Sequence, residues 1–151
     1  MTPDAIEKEI MIDAPVETVY RVITEPAQVA RWFSDAAELD PVPGGAGTLT
    51  FEDRATSQRA AVRLVVQAAE PPHRFAFRWD YPEDEQPAEG NSLLVEFILA
   101  AEGSGTRLTV TESGLAALRR PGQDTAGYYE AHDKGWDAHL ASLQSYVAGQ
   151  S

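Results

Sequence analysis

The stretch YYEAHDKGWDAHLASLQSYV, Tyr128 to Val147, places Tyr129, Trp136, Leu140, Leu143 and Val147 at helical spacing, one apolar stripe on an otherwise polar helix. Run as one helix from Asp124 to Gly149 it is about 39 Å long at ~1.5 Å per residue, enough to cross a small sheet. Its interior holds Gly135, next to Trp136 and one turn from His132. Gly inside a helix costs ~1 kcal/mol relative to Ala, so the sequence predicts that the backbone approaches a neighbouring element closely there, with Trp136 packed alongside.

Upstream, the pattern has period two. AIEKEIMI alternates Ile6, Lys8, Ile10 and Ile12 with Glu7, Glu9 and Met11, which reads as a half-buried strand. Two short helices follow: PVETVYRVIT, opened by Pro15 with Glu17 in the first turn, and PAQVARWF, restarted by Pro26. Alternation then returns in GTLTF, AVRLVVQA, RFAFRW, LLVEFIL and TRLTVTE. The breakers Pro43-Gly44-Gly45, Pro71-Pro72-His73 and Gly103-Ser104-Gly105 separate these runs. The economical architecture is a single α+β domain over residues 1–151: a strand, two short helices, an antiparallel meander and a long C-terminal helix.

Composition narrows the function. Lys and Arg number 12 against 24 Asp and Glu, a formal net charge of −12 that repels phosphate backbones and anionic lipid surfaces, so neither nucleic acid nor membrane is an expected partner. The 151-residue chain contains no cysteine, which removes thiolate catalysis, disulfides and cysteine-based zinc sites. The N-terminus lacks the basic start and apolar run of a secretory signal, and a cytoplasmic protein is expected. Three histidines without a close His/Asp/Glu constellation predict no metal, and no cofactor is expected. There is no G-x-S-x-G, H-E-x-x-H, Walker loop or dinucleotide fingerprint.

The element order, together with IDAPVETVYRVITEPAQVARWF, PPHRFAFRW, GTRLTVTESGL and GWDAHLASLQSYV, resembles the START-like (SRPBCC) helix-grip superfamily. Within it the nearest likeness is to homologues of the heat-shock protein 90 ATPase activator, over about Ile6 to Val147. The resemblance implies a curved antiparallel sheet wrapped around the C-terminal helix, with a cavity between them for an apolar or aromatic ligand. It does not imply one activity, because the superfamily spans lipid carriers, polyketide cyclases, hydrolases and chaperone regulators. A chaperone-regulator role is the weaker expectation, since the chain reads as one domain without the separate N-terminal domain of the full activator.

Trp32 and Phe33 match the family's aromatic pair at the end of the second short helix, where they either border the cavity mouth or plug the sheet edge. Phe51, Phe77, Trp79 and Phe97 share the inward parity of their strands and either line a pocket or fill a core. Glu112 continues the parity of Leu108 and Val110, where many relatives have a His. A regular strand turns its carboxylate inward, where it serves as a general acid or base or as a polar anchor for a ligand; a bulge or strand end delivers it to solvent instead. Tyr128, Tyr129, His132 and Trp136 complete the candidate binding set, with His132 near the end where such cavities open. His139 is expected at the helix edge and His73 in the Pro-Pro turn. The loop DYPEDEQPAEGN, Asp80 to Asn91, is a solvated turn or a flap over one end.

The expected function is binding of a small hydrophobic or aromatic molecule, by a monomer or homodimer. Proton-transfer catalysis of the cyclase or hydrolase kind, through Glu112 or His132, is the alternative. Both depend on whether those two side chains face the same space.

Overall fold

A computed structural model of the chain describes residues 4–53, 56–81, 85–88, 90–116 and 125–149. The elements in chain order are β1 (Ala5–Ile12), α1 (Val16–Thr24), α2 (Pro26–Trp32), β2 (Ala36–Leu39), β3 (Ala46–Asp53), β4 (Gln58–Glu70), β5 (Arg74–Trp79), β6 (Leu93–Glu102), β7 (Gly105–Ser113) and α3 (Thr125–Ala148). They form the α+β helix-grip arrangement. Seven strands make one antiparallel curved sheet in the order β1-β7-β6-β5-β4-β3-β2, with α3 against its concave side.

The alternation in the sequence fixes which face is buried. Leu49, Leu64, Val66, Phe75, Phe77, Trp79, Leu93, Val95, Phe97, Leu99, Leu108 and Val110 all lie inside. They meet Trp136, Leu140, Leu143 and Val147 from α3 and Val19, Ile23, Val29, Trp32 and Phe33 from the short helices. A register shift between Val66 and Ala68 breaks the β4–β5 ladder, the kind of irregularity that bends a sheet around a helix.

Several local expectations need correction. Pro15 caps α1 from extended backbone and does not occupy its first turn, while Pro26 does sit at the start of α2. The short edge strand β2 has no counterpart in the sequence pattern, because AAEL is four residues of which none is fully buried. Lys8 lies on the inward face of β1 yet stays ionic, its Nζ 2.8 Å from Asp133 and 3.1 Å from Asp137 of α3.

The prediction for Gly135 fails. A Cβ built on it meets no atom within 4 Å, so the backbone makes no close approach there and the residue borders open space. The α3 helix is held instead by its stripe, by the Lys8 pairs, and by Gln144, whose Nε2 donates to the Met11 carbonyl of the edge strand at 2.8 Å.

Candidate functional site

The site is organised around Glu112. Its strand is paired on both sides, to Ile6 of β1 and to Val95 of β6, so the ladder does not end before it and the carboxylate points inward. The side chain is fully buried. Of the two destinations open to it from the sequence, the interior is the observed one.

Three ring nitrogens surround this carboxylate. Trp79 Nε1–H donates to Oε2 at 2.8 Å and Trp136 Nε1–H donates to Oε1 at 3.1 Å. His132 Nδ1 lies 2.7 Å from the same Oε1. An indole can only donate, and an ionised carboxylate can only accept, so both oxygens are matched. The same accounting places a hydrogen on His132 Nδ1, and in the neutral imidazole leaves Nε2 as an acceptor. Glu112 and His132 do meet.

His132 connects this interior group to the outside, its side chain being 21% exposed. Tyr128 packs on its ring with centroids 4.2 Å apart, and the Tyr128 hydroxyl donates to Asp80 Oδ2 at 2.5 Å. Asp80 directly follows Trp79 and has a positive φ of 63°, a conformation that Asp tolerates better than most residues. That turn brings the carboxylate of the β5–β6 loop to α3. In the residue pattern this segment is legible only as an acidic loop.

Around the network the predicted aromatic residues form one cluster. Phe33 stacks on Trp32 at 5.0 Å and on Trp136 at 5.4 Å, and contacts Trp79 and Phe51 at 5.6 Å each. Phe77 and Phe97 complete the inner wall, within 5.6 Å of Trp79 and 6.1 Å of Trp136 respectively. Trp32 is anchored by its own indole N–H on the Val22 carbonyl at 2.9 Å. Tyr129 packs partly buried against the core.

His139, expected at the helix edge, belongs to this cluster. Its ring meets Phe33 edge-on at 4.7 Å, with Trp136 and Phe51 at 6.1 Å. Burial pushes its pKa below the ordinary 6.5, and the nearby His132 lowers it further. The spacing of His132, Trp136 and His139 was the available signal, since residues three and four apart share one helix face. His73 is exposed, its Nδ1 3.3 Å from the Leu99 carbonyl oxygen, and lies away from the site.

The interior between sheet and helix is filled by these rings. The void lined by Ile23, Val29, Trp32, Phe33, Leu49, Phe75, Phe77 and Phe97 has a volume of about 10 Å³, roughly what one water needs. Open space lies instead at Gly135, which shares a helix face with His132 and His139. Of the loop expected as a turn or flap, residues 82–84 and 89 lie outside the described residues. Its far end is stitched by Asn91, whose Nδ2 donates to the Gln86 carbonyl at 2.8 Å while its Oδ1 accepts from Ala88 N–H at 2.7 Å. Among the described residues no group of three or more His, Asp or Glu side chains is arranged to hold a metal, and no helix is long and apolar enough to cross a membrane.

A family model described as "Activator of Hsp90 ATPase homolog 1-like protein" matches residues 13–148. The chain belongs to that family. Solved structures similar to this chain include protein NE0264 from Nitrosomonas europaea, at 19% identity and a TM-score of 0.79, covering 97% of this chain and 96% of that one. Protein MLL2253 from Mesorhizobium loti is 20% identical with a TM-score of 0.75, covering 97% and 98%. CalU16 from Micromonospora echinospora is 23% identical with a TM-score of 0.69, covering 97% and 77%. At these identities the likeness is one of fold. No curated protein sequence matches the chain significantly.

Proposed function

We propose that this protein binds a small, flat, apolar molecule that carries a hydroxyl group, and that the hydroxyl is received by His132 Nε2. The observation that carries this is the Glu112–His132 pair, a 2.7 Å contact inside an aromatic interior that leaves one imidazole nitrogen directed away from the buried carboxylate. Aromatic walls from Phe33, Phe51, Trp79 and Trp136 supply apolar area, and the space beside Gly135 supplies an approach to His132.

Charge selects the ligand's polar group. Glu112 is a buried acid, Asp80 stands beside Tyr128, and the whole chain carries −12, so an anionic carboxylate ligand is repelled where a neutral phenol or enol is not. Because the void of about 10 Å³ holds no ligand as it stands, binding requires rings of the cluster to move. Such a rearrangement selects a minor conformer and lowers the apparent affinity by its population.

A matched pair of probes tests the reading. 2-Naphthol is expected to raise the melting temperature of the protein and to give a saturable complex by native mass spectrometry. 2-Methoxynaphthalene, which lacks the O–H, should bind about tenfold more weakly, the cost of one unmatched polar contact at the acceptor. His132→Phe should erase the difference between the two probes. Equal binding of both to the wild-type protein, or binding of neither, overturns the reading.

A catalytic version rests on the same nitrogen. A hydroxyl hydrogen-bonded to Nε2 is placed to give up its proton to the imidazole, with Glu112 stabilising the imidazolium from the other side, which is the general-base half of cyclase-like chemistry. DynU16, a similar structure at 23% identity of which this chain covers 48%, is described as a protein of the dynemicin biosynthetic locus, and products of that kind of locus are reasonable first substrates to screen.

A further inference from the structure

The sheet's outer face carries a second polar concavity, directly behind Glu112. Arg78 of β5 pairs in register with Leu94 of β6, and Leu94 pairs with Ser113 of β7, so Arg78, Leu94 and Ser113 form one cross-strand row. Their neighbours Trp79 and Glu112 point the other way, into the aromatic interior. The row opens into a cleft of about 120 Å³, several times what one water needs, lined by Asp4, Arg78, Gly90, Ser92, Leu94, Ser113 and Gly114.

Arg78 differs from the other arginines of this face. Arg74 pairs with Glu96 at 2.7 Å and Glu70 at 2.9 Å, Arg107 pairs with Glu102 at 2.6 Å, and Arg63 lies over the Tyr81 ring at 4.6 Å. Arg78 is half-buried and has no ion pair or hydrogen bond among the described residues, in a chain with 24 acidic side chains to choose from. Asp4, the acid lining the cleft, is tied to the backbone of its wall: its Oδ1 accepts from Ala116 N–H at 3.2 Å and its Oδ2 from Gly114 N–H at 3.4 Å. Ser92 is also committed, donating to the Ala88 carbonyl at 2.7 Å. The cleft therefore offers a free guanidinium fork and the Ser113 hydroxyl, with the competing acid held back by backbone amides.

We infer that this cleft binds a small oxyanion, a phosphate or a carboxylate, bidentate on the Arg78 guanidinium with Ser113 donating to a second oxygen. The size admits the oxyanion group itself and no large body behind it, so a bulkier ligand would enter with only its phosphate or carboxylate end. This site is independent of the Glu112 network and takes the opposite charge preference.

The test is a titration of the ¹⁵N-labelled full chain in buffer free of phosphate and carboxylate, following the Arg78 Nε–Hε signal and the Ser113 and Gly114 amides. Inorganic phosphate and acetate are added in separate series, each against sodium chloride at equal ionic strength. A saturable shift of these signals with phosphate or acetate, absent with chloride, is expected, and whichever anion binds more tightly identifies the tetrahedral or the planar class. Arg78→Gln should weaken binding about tenfold, the loss of a charge-assisted bidentate contact, and Ser113→Ala by a smaller factor. Glu112→Gln should leave it unchanged, which separates this site from the ligand site inside. No saturable shift beyond that of chloride, or equal affinity in Arg78→Gln, overturns the inference.

Discussion

Glu112 and the Tyr20 hydroxyl are polar groups sunk in the same apolar interior, one at the α3 end and one beneath α1, and they are served in opposite ways. Glu112 has a ring nitrogen from each of Trp79, Trp136 and His132. The Tyr20 hydroxyl has no hydrogen-bond partner among the described residues, although its ring packs edge-on against Phe75 at 6.3 Å and the residue is only 8% exposed. A buried polar group without a partner costs stability, and a fully matched one does not. The Tyr20 oxygen is dispensable to packing. The Glu112 network is not, because the buried carboxylate and the two indole N–H groups compensate one another for leaving water, with His132 the member that still reaches it.

Breaking the matched end should have the largest effect. Glu112→Ala leaves two indole N–H groups and an imidazole facing a cavity, and should destabilise by about 3 to 5 kcal/mol in urea unfolding. Glu112→Gln keeps the shape but turns an amide NH₂ toward donors, and should cost about 1 to 3 kcal/mol. If both substitutions cost less than Tyr20→Phe changes stability, the network carries no energetic weight and the contrast between the two ends collapses.

The unmatched end predicts the opposite sign. Tyr20→Phe removes the buried hydroxyl and keeps the ring on Phe75, and should stabilise by about 1 kcal/mol. Burial raises the Tyr20 pKa, with the charge of Glu70 adding to it, which agrees with an oxygen that gains nothing from its surroundings. A loss of stability in Tyr20→Phe would mean that the hydroxyl has a partner after all.

Most of the scaffold was legible because sheet parity is a strong signal: one face of β4 to β7 buries nearly every large apolar residue, and a slip by one position would expose them all. The same parity offered the interior to Glu112 as one of two destinations, with solvent at a strand end the other, and only the paired ladder on both sides decides between them. What parity could not supply was the partner set, because Trp79, His132 and Trp136 lie 33, 20 and 24 residues away in the chain and converge only through the turn of the sheet around α3. Asp80 reached Tyr128 by a left-handed backbone turn, and Arg78 stood free while its neighbours paired; neither fact has a signature in residue spacing. Gly135 misled for a related reason. Propensity says that a helical glycine needs an offset, but not whether the missing side chain makes room for a neighbour or leaves a notch.

The notch gives the next smaller effect. Gly135→Ala meets no atom within 4 Å and should recover most of the propensity difference, stabilising by about 0.5 to 1 kcal/mol. Gly135→Leu should also keep the fold, while its side chain fills the space beside His132. Retained stability with lost 2-naphthol binding in Gly135→Leu would tie the notch to the ligand site; unchanged binding would move the entrance elsewhere.

The smallest effect concerns His139, where the two ends of the comparison meet: an ionisable ring held against Phe33, Phe51 and Trp136 with no hydrogen bond recorded among the described residues. Its folded pKa lies below 6.5, because burial disfavours the charged ring and His132 adds to that. As pH falls through 6.5 the unfolded chain takes up the proton first. His139 therefore costs nothing above that value, and stability is lost as pH falls from there through the folded pKa. Asn in place of His139 cannot titrate in this range, so His139→Asn should show a shallower loss of stability than the wild-type protein between neutral and mildly acidic pH, with the two curves parallel above neutrality. The difference between the curves isolates His139 from the many carboxylates that titrate at lower pH. Parallel curves throughout would mean that the imidazole reaches water readily in the folded protein, and that the aromatic cluster around it is already open.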